Sequence, residues 1–167
     1  PIIPYDVTIR SLADRRRLTE KWVRTGVLDT PERKVTLPWL ARFGDQVRRV
    51  FLADGDATVL PTRRLLTILA AIREHMPAVR RISSYCLPRN LRKKSQQEID
   101  ELAAAGLSMV YVGAESGDDR VLAAVNKGET FETTREALDK LGAAGITRSV
   151  MILNGLGGKV YTRQHAE

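Results

Sequence analysis

A chain of 167 residues with 43% hydrophobic side chains can bury a core as one domain of ordinary size, which excludes a wholly disordered chain. Its net charge of +7 suits a polyanionic partner, while a single cysteine excludes an internal disulfide and any cysteine-rich metal site built from this chain alone. No run approaches the roughly 20 apolar residues of a membrane span, and the N-terminal residues lack a basic-then-apolar signal layout, so a soluble cytoplasmic protein without membrane contact is expected.

Residues 1–47 read as an N-terminal helical and extended segment. Asp6 to Arg10 alternate like a strand, Leu12 to Thr25 suit a helix ended by Gly26, and Thr36 with Pro38 can start another carrying Leu40, Phe43 and Val47. A clearer pattern occupies residues 48–167. Val50, Phe51 and Leu52 form a short apolar run closed by the turn Asp54-Gly55-Asp56, and a helix follows with Thr62 as its cap and Leu65, Leu69, Ile72 and Met76 on one face, stopped by Pro77. Arg81 to Tyr85 is a second strand. Ser95 with Glu98 makes a capping box for a helix carrying Ile99, Leu102 and Ala103 that Gly106 ends. Met109 to Gly113 is a third strand, followed by a short helix with Val121, Leu122 and Val125 and a longer one with Phe131, Leu138 and Leu141 that Gly145 closes. Arg148 to Leu153 is a fourth strand running into Asn154-Gly155-Leu156-Gly157-Gly158.

Strands alternating with helices at about 30 to 40 residues per unit imply parallel βα units, because parallel neighbours need a crossover helix. The fold class is therefore α/β. Four strands do not close a barrel, so the chain is expected to be incomplete relative to its own pattern.

Ligands of parallel α/β folds bind at the carboxyl ends of the strands. Here those ends are Asp54-Gly55-Asp56, Ser83-Ser84-Tyr85-Cys86, Glu115-Ser116-Gly117 and Asn154 to Gly158. Singly they read as a turn, a strand end, a helix start and a tight strand exit. Together they offer carboxylates, hydroxyls and glycines that let a backbone approach closely, which suits a zwitterionic, hydroxyl-rich ligand. Gly155 to Gly158 lacks the Gly-Lys-Ser/Thr ending of a phosphate loop, and the acids after the first strand would repel a pyrophosphate. The basic groups Arg15 to Arg17, Arg80 with Arg81, and Arg92 to Lys94 lie beside acids with few aromatics between them, so a solvated basic surface is favoured over a nucleic-acid face.

The ordered series Val50 to Asp56, Ser83 to Tyr85, Tyr111 to Gly117 with Lys127-Gly128, and Gly155 to Gly158 resembles the radical S-adenosylmethionine (SAM) superfamily. The likeness is greatest to the branch of iron-sulfur oxidoreductases related to oxygen-independent coproporphyrinogen oxidase, and it covers residues 48–167. It implies a partial, TIM-like (β/α)6 barrel in which this chain spans strands two to five. It also implies SAM contacts. Asp54, Gly55 and Asp56 would hold the methionyl amino group, Ser83, Ser84 and Tyr85 the ribose and methionyl carboxylate, Glu115 and Ser116 the ribose or carboxylate, and the turn containing Gly155 and Gly157 the adenine. The family uses a reduced [4Fe-4S] cluster to cleave SAM to methionine and a 5′-deoxyadenosyl radical that abstracts a substrate hydrogen, with the cofactors carrying the chemistry and the protein orienting them.

The C-x-x-x-C-x-x-C loop that would hold that cluster is absent from this sequence. Cys86 reads as a small buried residue, and His75 and His165 as isolated side chains that make no metal site. The leading reading is a radical SAM core acting on an unknown small-molecule substrate, in a fragment or variant without its cluster loop. Its rivals are a catalytically silent SAM-binding or interaction module and a basic RNA-binding partner. Asp56→Ala and Glu115→Ala are expected to weaken SAM binding with little change in melting temperature.

Overall fold

A computed structural model describes residues 44–166. The strand and helices expected before residue 44 lie outside the described residues, as does the side chain of Asp54. Val47, the last apolar residue named in that segment, follows a short 3-10 turn, Gly44–Gln46, and is buried in the core.

The four strands are β1 (Arg49–Asp56), β2 (Arg81–Cys86), β3 (Leu107–Glu115) and β4 (Thr147–Ile152). They pair in chain order β1-β2-β3-β4, every pair parallel, in a sheet that does not close on itself. The crossovers are α1 (Thr62–His75), α2 (Pro88–Arg92) with α3 (Gln96–Ala104), and α4 (Asp119–Ala124) with α5 (Phe131–Ala143); α6 (Thr162–Ala166) follows β4. This is the α/β fold of parallel βα units that the alternation predicts, with α2 as an unforeseen extra turn. Pro88 starts α2 because its missing N–H is one the first helical turn does not use.

The period-two alternation of the strands separates two faces. Val50, Leu52, Ile82, Cys86, Val110 and Val112 pack on Leu65, Leu69 and Ile72 of α1, Ile99 and Leu102 of α3, and Ala137 and Leu141 of α5 to make the core. On the other face Phe51, Tyr85 and Tyr111 stand in a row across β1, β2 and β3, with ring centroids 4.9 Å apart for Phe51–Tyr85 and 6.1 Å for Tyr85–Tyr111.

Several local expectations shift by a residue or more. Thr62 is the first residue of α1 rather than its cap: the Pro61 carbonyl accepts from the N–H groups of Arg64 and Leu65, and the Thr62 hydroxyl donates instead to Glu98, 2.7 Å away. Asp54-Gly55-Asp56 forms the bulged last residues of β1 rather than a turn after it. Phe131, the first residue of α5, is 54% exposed, while Leu141 more than two turns along is fully buried. The capping box of Ser95 and Glu98 forms as expected, and Gly106 and Gly145 take the positive φ values of 110° and 73° that suit a residue after a helix end.

Candidate functional site

Two interruptions of the ladder fall at the carboxyl ends of strands, where a ligand-binding edge is expected. Between β1 and β2 the register passes from Leu52↔Ser84 to Asp56↔Tyr85, so Ala53, Asp54 and Gly55 bulge from the sheet. Gly55 sits at φ 112°, and a Cβ added there would meet nothing within 4 Å. Asp56, by contrast, turns its carboxylate onto the protein. Oδ1 accepts from the Thr58 N–H at 2.7 Å and from the Thr58 hydroxyl, and Oδ2 accepts from the Leu87 N–H and the Asn90 amide, each at 2.7 Å. Asp56 thus ties β1 to the turn after it and to the entry of α2.

The second strand end does not present its residues as a set. Ser83 and Ser84 point to opposite faces, both are buried, and their hydroxyls donate to the β1 carbonyls of Val50 at 3.4 Å and Leu52 at 3.3 Å. Tyr85 is left 47% exposed in the aromatic row. Cys86 lies on the helix-covered face, and burial pushes its thiol pKa up to about 12.

The third strand end carries the most unusual backbone. Between β3 and β4 the register passes from Gly113↔Met151 to Glu115↔Ile152, and the Ser116 N–H turns back to the Ala114 carbonyl at 2.8 Å around Glu115, which sits at φ 66°. The Glu115 carbonyl accepts from the Leu153 N–H at 3.1 Å, fastening this turn to the exit of β4. Its carboxylate takes one hydrogen bond from the Lys127 ammonium at 3.2 Å, with both side chains mostly buried. A Cβ on Gly113 would stand 2.5 Å from Glu115 Oε1 and 3.1 Å from Lys127 Nζ, so the pair occupies space that glycine leaves.

Holding a non-glycine residue at positive φ costs about 1–2 kcal/mol. A single, partly exposed ion pair contributes about 0–1 kcal/mol. The pair with Lys127 thus offsets at most part of the cost of the Glu115 backbone conformation.

The fourth strand end is a glycine turn. Gly155 is exposed at φ 80°, and a Cβ there would meet nothing within 4 Å, whereas Gly157 is buried and a Cβ on it would stand 2.6 Å from the Tyr161 carbonyl oxygen and 2.9 Å from the His165 Cβ. The two glycines thus have different tasks: Gly157 seats α6, and Gly155 leaves open space. With α6 seated, His165 Nδ1 lies 2.9 Å from the hydroxyl of buried Ser116, and Arg120 stands over the Tyr161 ring at 5.7 Å. His165 is therefore not isolated, and the Ser116 hydroxyl, which also accepts from the Asp118 N–H, is committed to holding the β3 and β4 ends together. No sequence signal links residues 49 positions apart.

Of the expected SAM-contacting residues, Gly55, Glu115 and Gly155 offer open backbone or an available carboxylate oxygen, which fits a hydroxyl-rich zwitterion. Asp56, Ser83, Ser84, Ser116 and Gly157 hold neighbouring elements. A [4Fe-4S] cluster does not fit the residues present: the chain has one cysteine, its thiol is buried, and among the described residues no group of three or more His, Cys, Asp or Glu could hold a metal ion. The basic group Arg92 to Lys94 is likewise partly committed, with Arg92 paired to Glu136 at 2.9 Å and Lys94 buried and donating to the Leu60 carbonyl at 2.7 Å. No helix among the described residues is long and apolar enough to cross a membrane.

Residues 16–167 match the family model described as the Radical SAM superfamily, so the match begins well before the first strand of the described fold. The oxygen-independent coproporphyrinogen III oxidase of Paracoccus denitrificans is 23% identical over 114 residues, which are 68% of this chain and 25% of that protein. Coproporphyrinogen III oxidase from Escherichia coli, a radical SAM enzyme, superposes with a TM-score of 0.52 at 20% identity, covering 62% of this chain and 24% of that one. The radical SAM methyltransferase TsrM from Kitasatospora setae, solved with tryptophan substrate and a SAM analogue, gives 0.52 at 20% identity over 71% of this chain and 24% of that one. The chain thus spans about a quarter of the length of these proteins.

Proposed function

This chain belongs to the radical SAM superfamily, and from that membership we propose that the carboxyl ends of β1 to β4 bind SAM as part of a core for radical-based hydrogen abstraction from a small-molecule substrate. The observation that carries the proposal is the Glu115 turn: a carboxylate held at φ 66° beside Gly113, with one partner among the described residues. When bound, SAM supplies the reacting group. The chain's own part is to orient it. Glu115 would accept hydrogen bonds from ligand hydroxyls, while Gly55 and Gly155 would let the ligand lie against the backbone. Asp56, Ser116 and Gly157 would fix the loops that carry these contacts. The ligands of an iron-sulfur cluster are not among this chain's residues.

A cytoplasmic location belongs to the same proposal. Calorimetric titration with SAM tests the reading. The unsubstituted chain should bind saturably, and Glu115→Gln should bind roughly tenfold more weakly, the effect of a lost charge-assisted hydrogen bond, with its melting temperature little changed. Equal affinity in the two proteins would remove Glu115 from the site.

A further inference from the structure

We propose that Lys127 is a positioning residue, whose ammonium, lodged in the space left by Gly113, sets the Glu115 carboxylate for a hydroxyl-bearing ligand. The inference rests on the reading of Glu115 as a SAM contact.

Lys127 is delivered by backbone geometry that leaves it little freedom. The chain leaving α4 turns through Asn126 at φ 54° and Gly128 at φ 72°, and the Lys127 N–H donates to the Leu122 carbonyl at 3.0 Å. Just beyond, Glu129 is buried, accepting from the Arg89 N–H at 3.0 Å and from the Thr133 hydroxyl at 3.0 Å, and ion-paired with the Arg89 guanidinium. The segment is therefore pinned on both sides of Lys127. Its ammonium makes one hydrogen bond among the described residues, to Glu115 Oε1. Lys127 thus touches the reacting edge only through Glu115, and the missing Cβ at Gly113 is what lets the two groups meet. Without the ammonium, a carboxylate on three flexible torsions would rotate among several orientations, and a ligand would have to select one.

SAM titration and thermal unfolding of the whole chain test this on Lys127→Met, Lys127→Arg, Gly113→Ala and Glu115→Gln. Lys127→Met should weaken binding roughly tenfold at a nearly unchanged melting temperature, and Lys127→Arg should recover most of the loss. Gly113→Ala removes no charge yet should weaken binding comparably, because the pair must move. The double variant Lys127→Met with Glu115→Gln should bind as Glu115→Gln does, since the lysine acts through the glutamate. Wild-type affinity in Lys127→Met beside weakened Glu115→Gln would overturn the positioning role and leave the SAM reading standing. Additive losses in the double variant would overturn it too, by making Lys127 a ligand contact. Unchanged affinity in both Lys127→Met and Glu115→Gln would remove Glu115 from the site and this inference with it, and no binding by the unsubstituted chain would overturn the SAM reading as well.

Discussion

Asp56 and Glu115 occupy equivalent places, each after a bulge at the end of a strand, yet their carboxylates do opposite things. Asp56 accepts four hydrogen bonds from Thr58, Leu87 and Asn90. Asp56→Ala would strand two backbone N–H groups and an amide in a partly buried setting, so it should lower unfolding stability by about 2–4 kcal/mol, measured by urea denaturation. That replaces the sequence-based expectation of an unchanged melting temperature. Cys86 gives a second prediction at this scale. With its thiol pKa pushed to about 12 by burial, native protein should resist alkylation at pH 8 and react only after denaturant is added. Rapid native labelling would show that the β2 end is open to solvent.

Among the elements, α3 illustrates how a local signal and a long-range one combine. The capping box of Ser95 and Glu98 was legible because both partners lie within one turn. The hydrogen bond from Thr62, which holds the Glu98 carboxyl below the ordinary glutamate range together with the Ser95 N–H, was not, since Thr62 is 36 positions away. A depressed folded pKa adds stability that is present above the unfolded value and lost as pH falls through the folded one. Urea midpoints of wild type and Glu98→Gln should therefore differ at neutral pH and converge only in acid below the ordinary glutamate range, once the folded carboxyl protonates. A gap that persists into acid would mean the carboxylate charge is not what holds α1 to α3. Strand and helix positions were readable in the same way, from apolar periodicity and punctuating glycines. The bulges at Ala53 to Gly55 and at Ala114, the turn at Glu115 and the contact of His165 with Ser116 were not, because they arise from register between strands and from packing of distant segments. The sequence pointed to the right strand ends; which side chain at each end is open and which is a brace required the fold.

At the scale of the whole molecule, the parallel sheet has two edges, and β4 is the more exposed. Ile152, its last residue, is 52% exposed and Leu153, just beyond it, 53%, and the strand's outer edge pairs with no other strand among the described residues. A net charge of +7 opposes self-association through such an edge, but only within the screening length. Light scattering should therefore show association rising between about 0.01 and 1 M salt, where that length shrinks from about 30 to 3 Å. Ile152→Lys should suppress it, and salt-independent association would place the contact elsewhere.

On the proposed reading, SAM sits across the carboxyl ends of the four strands. Hydrogen exchange of the chain with and without saturating SAM tests it most directly. Exchange should slow in the segments 53–58, 113–117 and 153–158, with the amino-terminal ends of the strands unaffected. Unchanged exchange throughout, or protection confined to the amino-terminal edge, would contradict it.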